Sequence, residues 1–174
     1  MKKNAIWRAG LWYLVAFLCV ALDQITKWLA VRYLKPMDTL PLWKNVLHLT
    51  YATNRGAAFS ILADRRWVFM SVSVLSIVLL AALVWYFRRG SAPFCLSLSM
   101  LLGGGVGNMI DRVAQGYVVD FIDFRAIHFA IFNVADCFVC IGCALLLIDV
   151  LFFDKRQGKT LPDAEQKEEE KHVG

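Results

Sequence analysis

Residues 67–87 read WVFMSVSVLSIVLLAALVWYF, without one charged side chain, between Arg65–Arg66 and Arg88–Arg89. At 1.5 Å of helical rise per residue, such a run crosses a hydrocarbon core of about 30 Å. A second uncharged run follows almost at once, from Ser91 to Ile110, and stops at Asp111–Arg112. Only Arg88-Arg89-Gly90 separates the two, which predicts an antiparallel pair of membrane helices. Composition agrees: 59% of the 174 residues are hydrophobic and 19% charged, against about 45–50% and about 25% in a soluble domain. A chain this short cannot bury that surplus in one core, so the surplus faces lipid. Disordered, collagen-like and disulfide-scaffold classes are excluded, because 11 Gly, 4 Pro and 5 Cys are spread through apolar stretches. The net charge of +5 is assigned to basic residues flanking the spans, with no nucleic-acid partner.

Two less regular spans lie outward from this pair. Ala9 to Leu22 is apolar but short, and reaches full length only through Asp23, Gln24, Thr26 and Lys27. Ala130 to Phe153 is long enough but carries Asn133, Asp136 and Asp149. The predicted fold is membrane all-α: a four-transmembrane-helix bundle with spans at about 9–31, 67–87, 91–110 and 130–153, in one domain covering 1–155. A small extracytoplasmic β element is expected at about 36–64. Val46-Leu47-His48-Leu49-Thr50-Tyr51 is rich in strand formers, Asn54-Arg55-Gly56 signals a turn, and Pro36 and Pro41 break the entry. Val118 to Phe124 is extended in character as well. The polar stretch 156–174, with Glu168–Glu170 in a row, reads as a disordered, solvated cytoplasmic tail. Lys2, Lys3 and Arg8 before an apolar run imitate a secretory signal, but no small-x-small cleavage site follows, and the helix is read as retained. Lys and Arg divide almost evenly between the two sides. The basic N-terminal tip and Lys155, Arg156 and Lys159 favour both termini in the cytoplasm.

Ionisable residues in a span cost roughly 2.5–3.5 kcal/mol each on insertion scales and need partners. Asp23 and Lys27 share a helix face at i, i+4, as do Asn108 and Arg112, while Asn133 and Asp136 share one at i, i+3. In the orientation chosen, all of these and Asp120 fall at the outer end of their helices, so polar faces converge at one depth. Interhelical hydrogen bonding accounts for part of this. It accounts less well for Asp136, which no basic residue follows until Lys155. Asp149, beside Asp154 and Lys155, is given no role. Serine-protease chemistry finds no Ser–His arrangement. Cys137, Cys140 and Cys143 fall within one apolar helix and are read as packing residues. Gly103-Gly104-Gly105-Val106-Gly107 follows no strand and lacks the Lys-Ser/Thr of a phosphate loop, so its glycines are read as allowing close helix approach. A pair of carboxylates sharing a proton remains, able to activate a water and protonate a leaving amine.

Five polar blocks, in order, resemble the lipoprotein signal peptidases (signal peptidase type II). They are Asp23-Gln24-Ile25-Thr26-Lys27; Asn54-Arg55-Gly56-Ala57-Ala58-Phe59-Ser60; Gly103-Gly104 with Gly107-Asn108-Met109-Ile110-Asp111-Arg112; Val119-Asp120-Phe121-Ile122-Asp123; and Phe132-Asn133-Val134-Ala135-Asp136. The likeness covers roughly residues 10–150. It implies an aspartyl endopeptidase of the bacterial inner membrane with Asp120 and Asp136 as its catalytic dyad. Supporting or substrate-binding roles are implied for Asp23, Lys27, Asn54, Gly56, Asn108, Arg112 and Asn133. The implied substrate is a prolipoprotein whose cysteine already carries diacylglycerol, cut just before that cysteine at the outer face. No metal or organic cofactor is implied. The expected surroundings are substrate and membrane lipids, and the expected state is a monomer. The rival reading is a small four-helix proton- or cation-coupled transporter using Asp23. It calls for a lone carboxylate at mid-membrane and little ordered structure outside.

Overall fold

The computed structural model describes residues 2–55 and 66–152. Its elements run α1 (Lys2–Leu29), a wider π turn (Ala30–Leu34), β1 (Thr39–Trp43), β2 (Leu47–Asn54), α2 (Arg66–Tyr86), α3 (Ala92–Ala114), β3 (Val118–Phe124), a 3-10 turn (Arg125–Ile127) and α4 (Val134–Phe152). Gly56, the remainder of the expected β element to residue 64, and the tail 156–174 lie outside the described residues.

Helix α3 forms the centre, with 56% of its apolar window buried, against 28% for α1 and 17% for α4. Glycine permits this crowding. A Cβ on Gly103 would lie 2.5 Å from the Cys19 Cβ of α1, and one on Gly104 would lie 2.5 Å from the Ala135 carbonyl oxygen of α4. The glycine run therefore brings α1 and α4 close against α3 on two faces about 100° apart, as its composition predicts. Helix α2 joins through a core of Ala16, Val84, Leu98 and Leu102. The outward surface is apolar: Phe17, Leu75 and Leu147 are 64%, 69% and 61% exposed. Among the described residues, α1 with its π turn, α3 and α4 are long and apolar enough to cross a membrane, and α2 adds a shorter apolar run, Met70–Tyr86. Cys137 is half-buried as a packing residue, but Cys140 and Cys143 are exposed on α4.

Helix ends depart from the apolar runs. The first helix continues beyond residue 31 into a π turn, closed by the Lys35 N–H donating to the Ala30 carbonyl at 3.2 Å, directly before Pro36. Helix α3 passes through Asp111–Arg112 to Ala114, because Asp111 is buried inside the bundle and does not mark a water boundary. Helix α4 starts at Val134, not at residue 130. Phe132 is taken up by the sheet instead: its N–H donates to the Ile122 carbonyl, and its own carbonyl accepts from the Phe121 and Ile122 amides.

The sheet is antiparallel in the order β1-β2-β3, so its third strand comes from the connection between α3 and α4. It sits on the end of α1 through Ala30, Leu34, Val119 and Phe121. Between β2 and β3 the register slips: Leu49 faces Ile122, whereas Ala52 faces Asp120. One extra residue on β2 makes a bulge, which bends the strand beside Asp120 and re-aims its neighbours.

Candidate active site

Where the sheet meets the helices, four elements meet around buried polar side chains. Asp23 is 0% and Lys27 is 3% exposed, both on α1. Lys27 Nζ lies 2.9 Å from Asp23 Oδ2, 3.1 Å from Asp111 Oδ2 and 2.9 Å from Asn108 Oδ1. Its three protons thus meet three acceptors, the condition for a cation to remain in a dry interior. Asp23 also accepts the Ala135 backbone amide at 2.9 Å, tying the first helix to the start of the last.

The start of α4 is a reciprocal cap. Asn133 Oδ1 accepts the Asp136 amide at 3.0 Å, and Asp136 Oδ2 accepts the Asn133 amide at 3.2 Å. This is the capping-box arrangement built with Asn and Asp, and it fixes the Asp136 carboxylate by the same bonds that begin the helix. The other oxygen, Oδ1, accepts Asn108 Nδ2 at 2.8 Å. Asn108 therefore stands between Lys27 and Asp136, accepting a hydrogen bond from the ammonium on Oδ1 and donating one from Nδ2 to the carboxylate.

Asp120 reaches the same place from β3. Its Oδ1 accepts Asn133 Nδ2 at 2.7 Å, and the Asn54 side chain also hydrogen-bonds its carboxyl. Burial pushes the Asp120 pKa up to about 6. The bonds from Asn54 and Asn133 and the charge of Lys27 oppose the rise, and the charge of Asp136 adds to it. The residues expected together, Asp23, Lys27, Asn54, Asn108, Asp120, Asn133 and Asp136, are thus joined by hydrogen bonds in one network. Arg112 meets it at the edge, donating from Nη1 to the Asn108 carbonyl at 3.4 Å. Gly56 lies outside the described residues.

Two participants carry no role in the sequence reading. Gln24 Nε2 lies within 3.2 Å of Asp23 Oδ2, 3.1 Å of the Gly107 carbonyl and 3.1 Å of Asp111 Oδ1. Asp111 Oδ2 accepts the Val119 amide at 3.1 Å, which locks the strand position just before Asp120. The signal for Asp111 was its spacing, since it follows Asn108 by one helical turn on the face that also carries Gly107. Gly107 itself leaves space for a carboxylate: a Cβ there would lie 2.6 Å from Asp23 Oδ2.

Fold and network define a membrane enzyme. Two solved structures described as bacterial membrane enzymes superpose with TM-scores of 0.73 and 0.72, at 31% and 33% identity. They cover 88% and 83% of this chain and 93% and 94% of theirs. Residues 15–152 match the family model described as signal peptidase (SPase) II, and the chain belongs to that family of lipoprotein-processing proteases. The lipoprotein signal peptidase of Brevibacillus brevis is 46% identical over 147 residues, 83% of this chain and 97% of that protein. Those of Halothermothrix orenii and Clostridioides difficile are 44% and 41% identical, over 78% and 84% of this chain and 92% and 98% of theirs. A bacterial membrane protein acting on prolipoproteins follows from this membership.

Proposed function

We propose that the protein is an intramembrane aspartyl endopeptidase that removes the signal peptide from diacylglyceryl-modified prolipoproteins, cutting before the lipidated cysteine. The observation that carries this is Asn133, whose carboxamide bonds Asp120 at 2.7 Å while its backbone amide bonds Asp136 at 3.2 Å. One residue so holds two carboxyl groups from different elements in a buried place. Burial of Asp120, with the charge of Asp136 adding to it, outweighs the amide bonds and favours retention of the shared proton there, while both oxygens of Asp136 accept N–H bonds and Asp136 is assigned as the base. Asp136 then takes a proton from water as that water attacks the scissile carbonyl carbon, while Asp120 protonates the carbonyl oxygen. In the second half Asp136 returns its proton to the leaving amide nitrogen, the C–N bond breaks, and Asp120 recovers a proton from the diol.

In this reading four helices span the membrane within one domain, 1–155. Both termini are cytoplasmic, the site lies at the outer end, the tail 156–174 is solvated and the chain acts as a monomer. Asn54, Gly56 and Arg112 serve substrate binding around the dyad. Asp23 and Lys27 hold the scaffold. A transporter built on Asp23 is not favoured, since that carboxylate is bonded to Lys27, Gln24 and the Ala135 amide.

Cleavage of one precursor with and without diacylglycerol, in detergent, tests both halves of the proposal. Two buried acyl chains at about 0.8 kcal/mol per methylene should supply most of the anchoring, so the unlipidated form should be cut far more slowly. Equal rates would remove the substrate assignment but leave the peptidase standing. Wild-type turnover by Asp136→Asn would remove the aspartyl mechanism.

A further inference from the structure

At the end of the bundle opposite the acidic network, Arg8, Leu11 and Trp12 of α1, with Arg88, Gly90 and Ala92, enclose a pocket of about 350 Å³. From Arg8 to Asp23 is about 22 Å of helix at 1.5 Å per residue, so this pocket is separate from the proposed active site. We propose that it binds the phosphate of one anionic phospholipid headgroup.

Three features support that chemistry. Two guanidinium groups, Arg8 of α1 and Arg88 of the turn after α2, line one concavity whose lining among the described residues holds no acid. Arg88 is held in place from behind: Nη1 donates to the Trp85 carbonyl at 2.6 Å and the guanidinium lies over the Trp85 ring at 4.8 Å. Its Nε is buried with no hydrogen-bond partner among the described residues, so the fold leaves part of this guanidinium's donor capacity unmet. The third feature is the start of α3. Ser91 Oγ accepts the Phe94 amide, the Ser91 carbonyl accepts that of Cys95, and Pro93 has no amide hydrogen, so Ala92 keeps a first-turn amide without a bond among the described residues. That amide and the helix dipole face the same anion-favouring end. The nearby carboxylate, Asp149, is engaged by the Ser91 hydroxyl at 2.8 Å. Leu11 and Trp12 supply the apolar wall against which a glycerol backbone and its acyl chains would lie. A free phosphate would use the cationic end of the pocket but leave that wall uncovered.

The test is native mass spectrometry of the full chain released from zwitterionic micelles, titrated separately with phosphatidylglycerol, phosphatidylcholine and inorganic phosphate. One tightly held phosphatidylglycerol is expected, with no comparable phosphatidylcholine. Arg8→Gln and Arg88→Gln should each weaken retention about tenfold or more, the loss of one charge-assisted contact. Arg89→Gln removes an equal charge from a residue outside the pocket and should leave retention unchanged. Cleavage by the Arg88→Gln enzyme in phosphatidylcholine micelles should equal wild type, which establishes that the variant is folded. Equal weakening by Arg89→Gln, or equal retention of both lipids, would reduce the effect to diffuse attraction and overturn the proposal. Arginine-dependent binding of inorganic phosphate without retention of the lipid would assign the site to free phosphate and overturn it too.

Discussion

Asp120 and Asp123 belong to one strand, three positions apart, and their surroundings treat them oppositely. Asp120 faces the helices, where amide groups of Asn54 and Asn133 bond it, and burial pushes its pKa up to about 6. Asp123 faces the other way, into a group on the sheet. There burial opposes ionisation, but bonds from Arg125 Nε at 2.8 Å and Thr50 Oγ at 2.8 Å, with the charges of Arg125 and His48, hold its pKa below the usual carboxylate value. Neither side chain is exposed, but Asp120 lies deeper among the helices and loses more of its hydration than Asp123, which sits near the surface of the sheet. The second difference is whether the bonded partner carries charge. A carboxyl group surrounded by neutral donors can keep and give up a proton near neutrality, whereas one beside a guanidinium is a fixed anion.

The sharpest way to break this contrast is to neutralise each acid in turn. Asp120→Asn should lower turnover on a lipidated precursor by about three orders of magnitude or more, the scale of lost acid–base catalysis, while Asp123→Asn keeps most of it. Comparable losses in both would mean that the sheet, and not the dyad, limits the rate.

The second test is pH. Ionisation of Asp120 removes the shared proton, so kcat/KM should fall as pH rises through about 6, approaching tenfold per unit, and the limb on kcat should lie higher because bound substrate excludes water. The linked stability has the same sign. The folded chain keeps a proton that the unfolded chain has lost between the ordinary carboxylate value and about 6, so stability declines as pH climbs through that window. A pH profile without that limb would detach Asp120 from the rate.

A smaller effect is expected from Gly107→Ala, whose Cβ would meet Asp23 Oδ2 at 2.6 Å. Overpacking of this kind costs about 1–3 kcal/mol, and the loss should appear in thermal unfolding before it appears in KM. Least is expected for the stability of Asp123→Asn, about 1 kcal/mol or less, since Arg125 is partly exposed. That contribution is present above the ordinary carboxylate value and is lost as pH falls, opposite in direction to Asp120.

Much of this site could be read from residue order, because helical spacing is rigid. Asp23 with Lys27, and Asn133 with Asp136, had to share faces, and the glycine run had to admit close neighbours. Helix ends were read less well. A charge pair such as Asp111–Arg112 looks like a water boundary in one dimension, but Asp111 points inward to Lys27 and the Val119 amide. Phe132 looks like the first turn of an apolar helix, yet a backbone bridge to Ile122 captures it. Such pairings join residues far apart in the chain and leave no periodic trace. The bulge opposite Asp120 is of the same kind, since nothing in Leu49-Thr50-Tyr51-Ala52 announces an added residue. Gln24 was hidden differently, beside an acid that drew the reading to itself.

The bond from the Ala135 amide to Asp23 spans 112 positions of sequence and has a consequence for biosynthesis. Asn133 caps the last described helix and Asp136 lies in its first turn, and the start of that helix is bonded to a carboxylate in the first. During synthesis the earlier helices emerge with Asp120 lacking its Asn133 partner and with Asp23 lacking the amide it will cap. The two candidate acids can meet only when the final helix has entered the bilayer and docked. Under the proposed mechanism a nascent chain is unable to cleave while it is still being inserted, and a truncated product ending before residue 133 would be inactive.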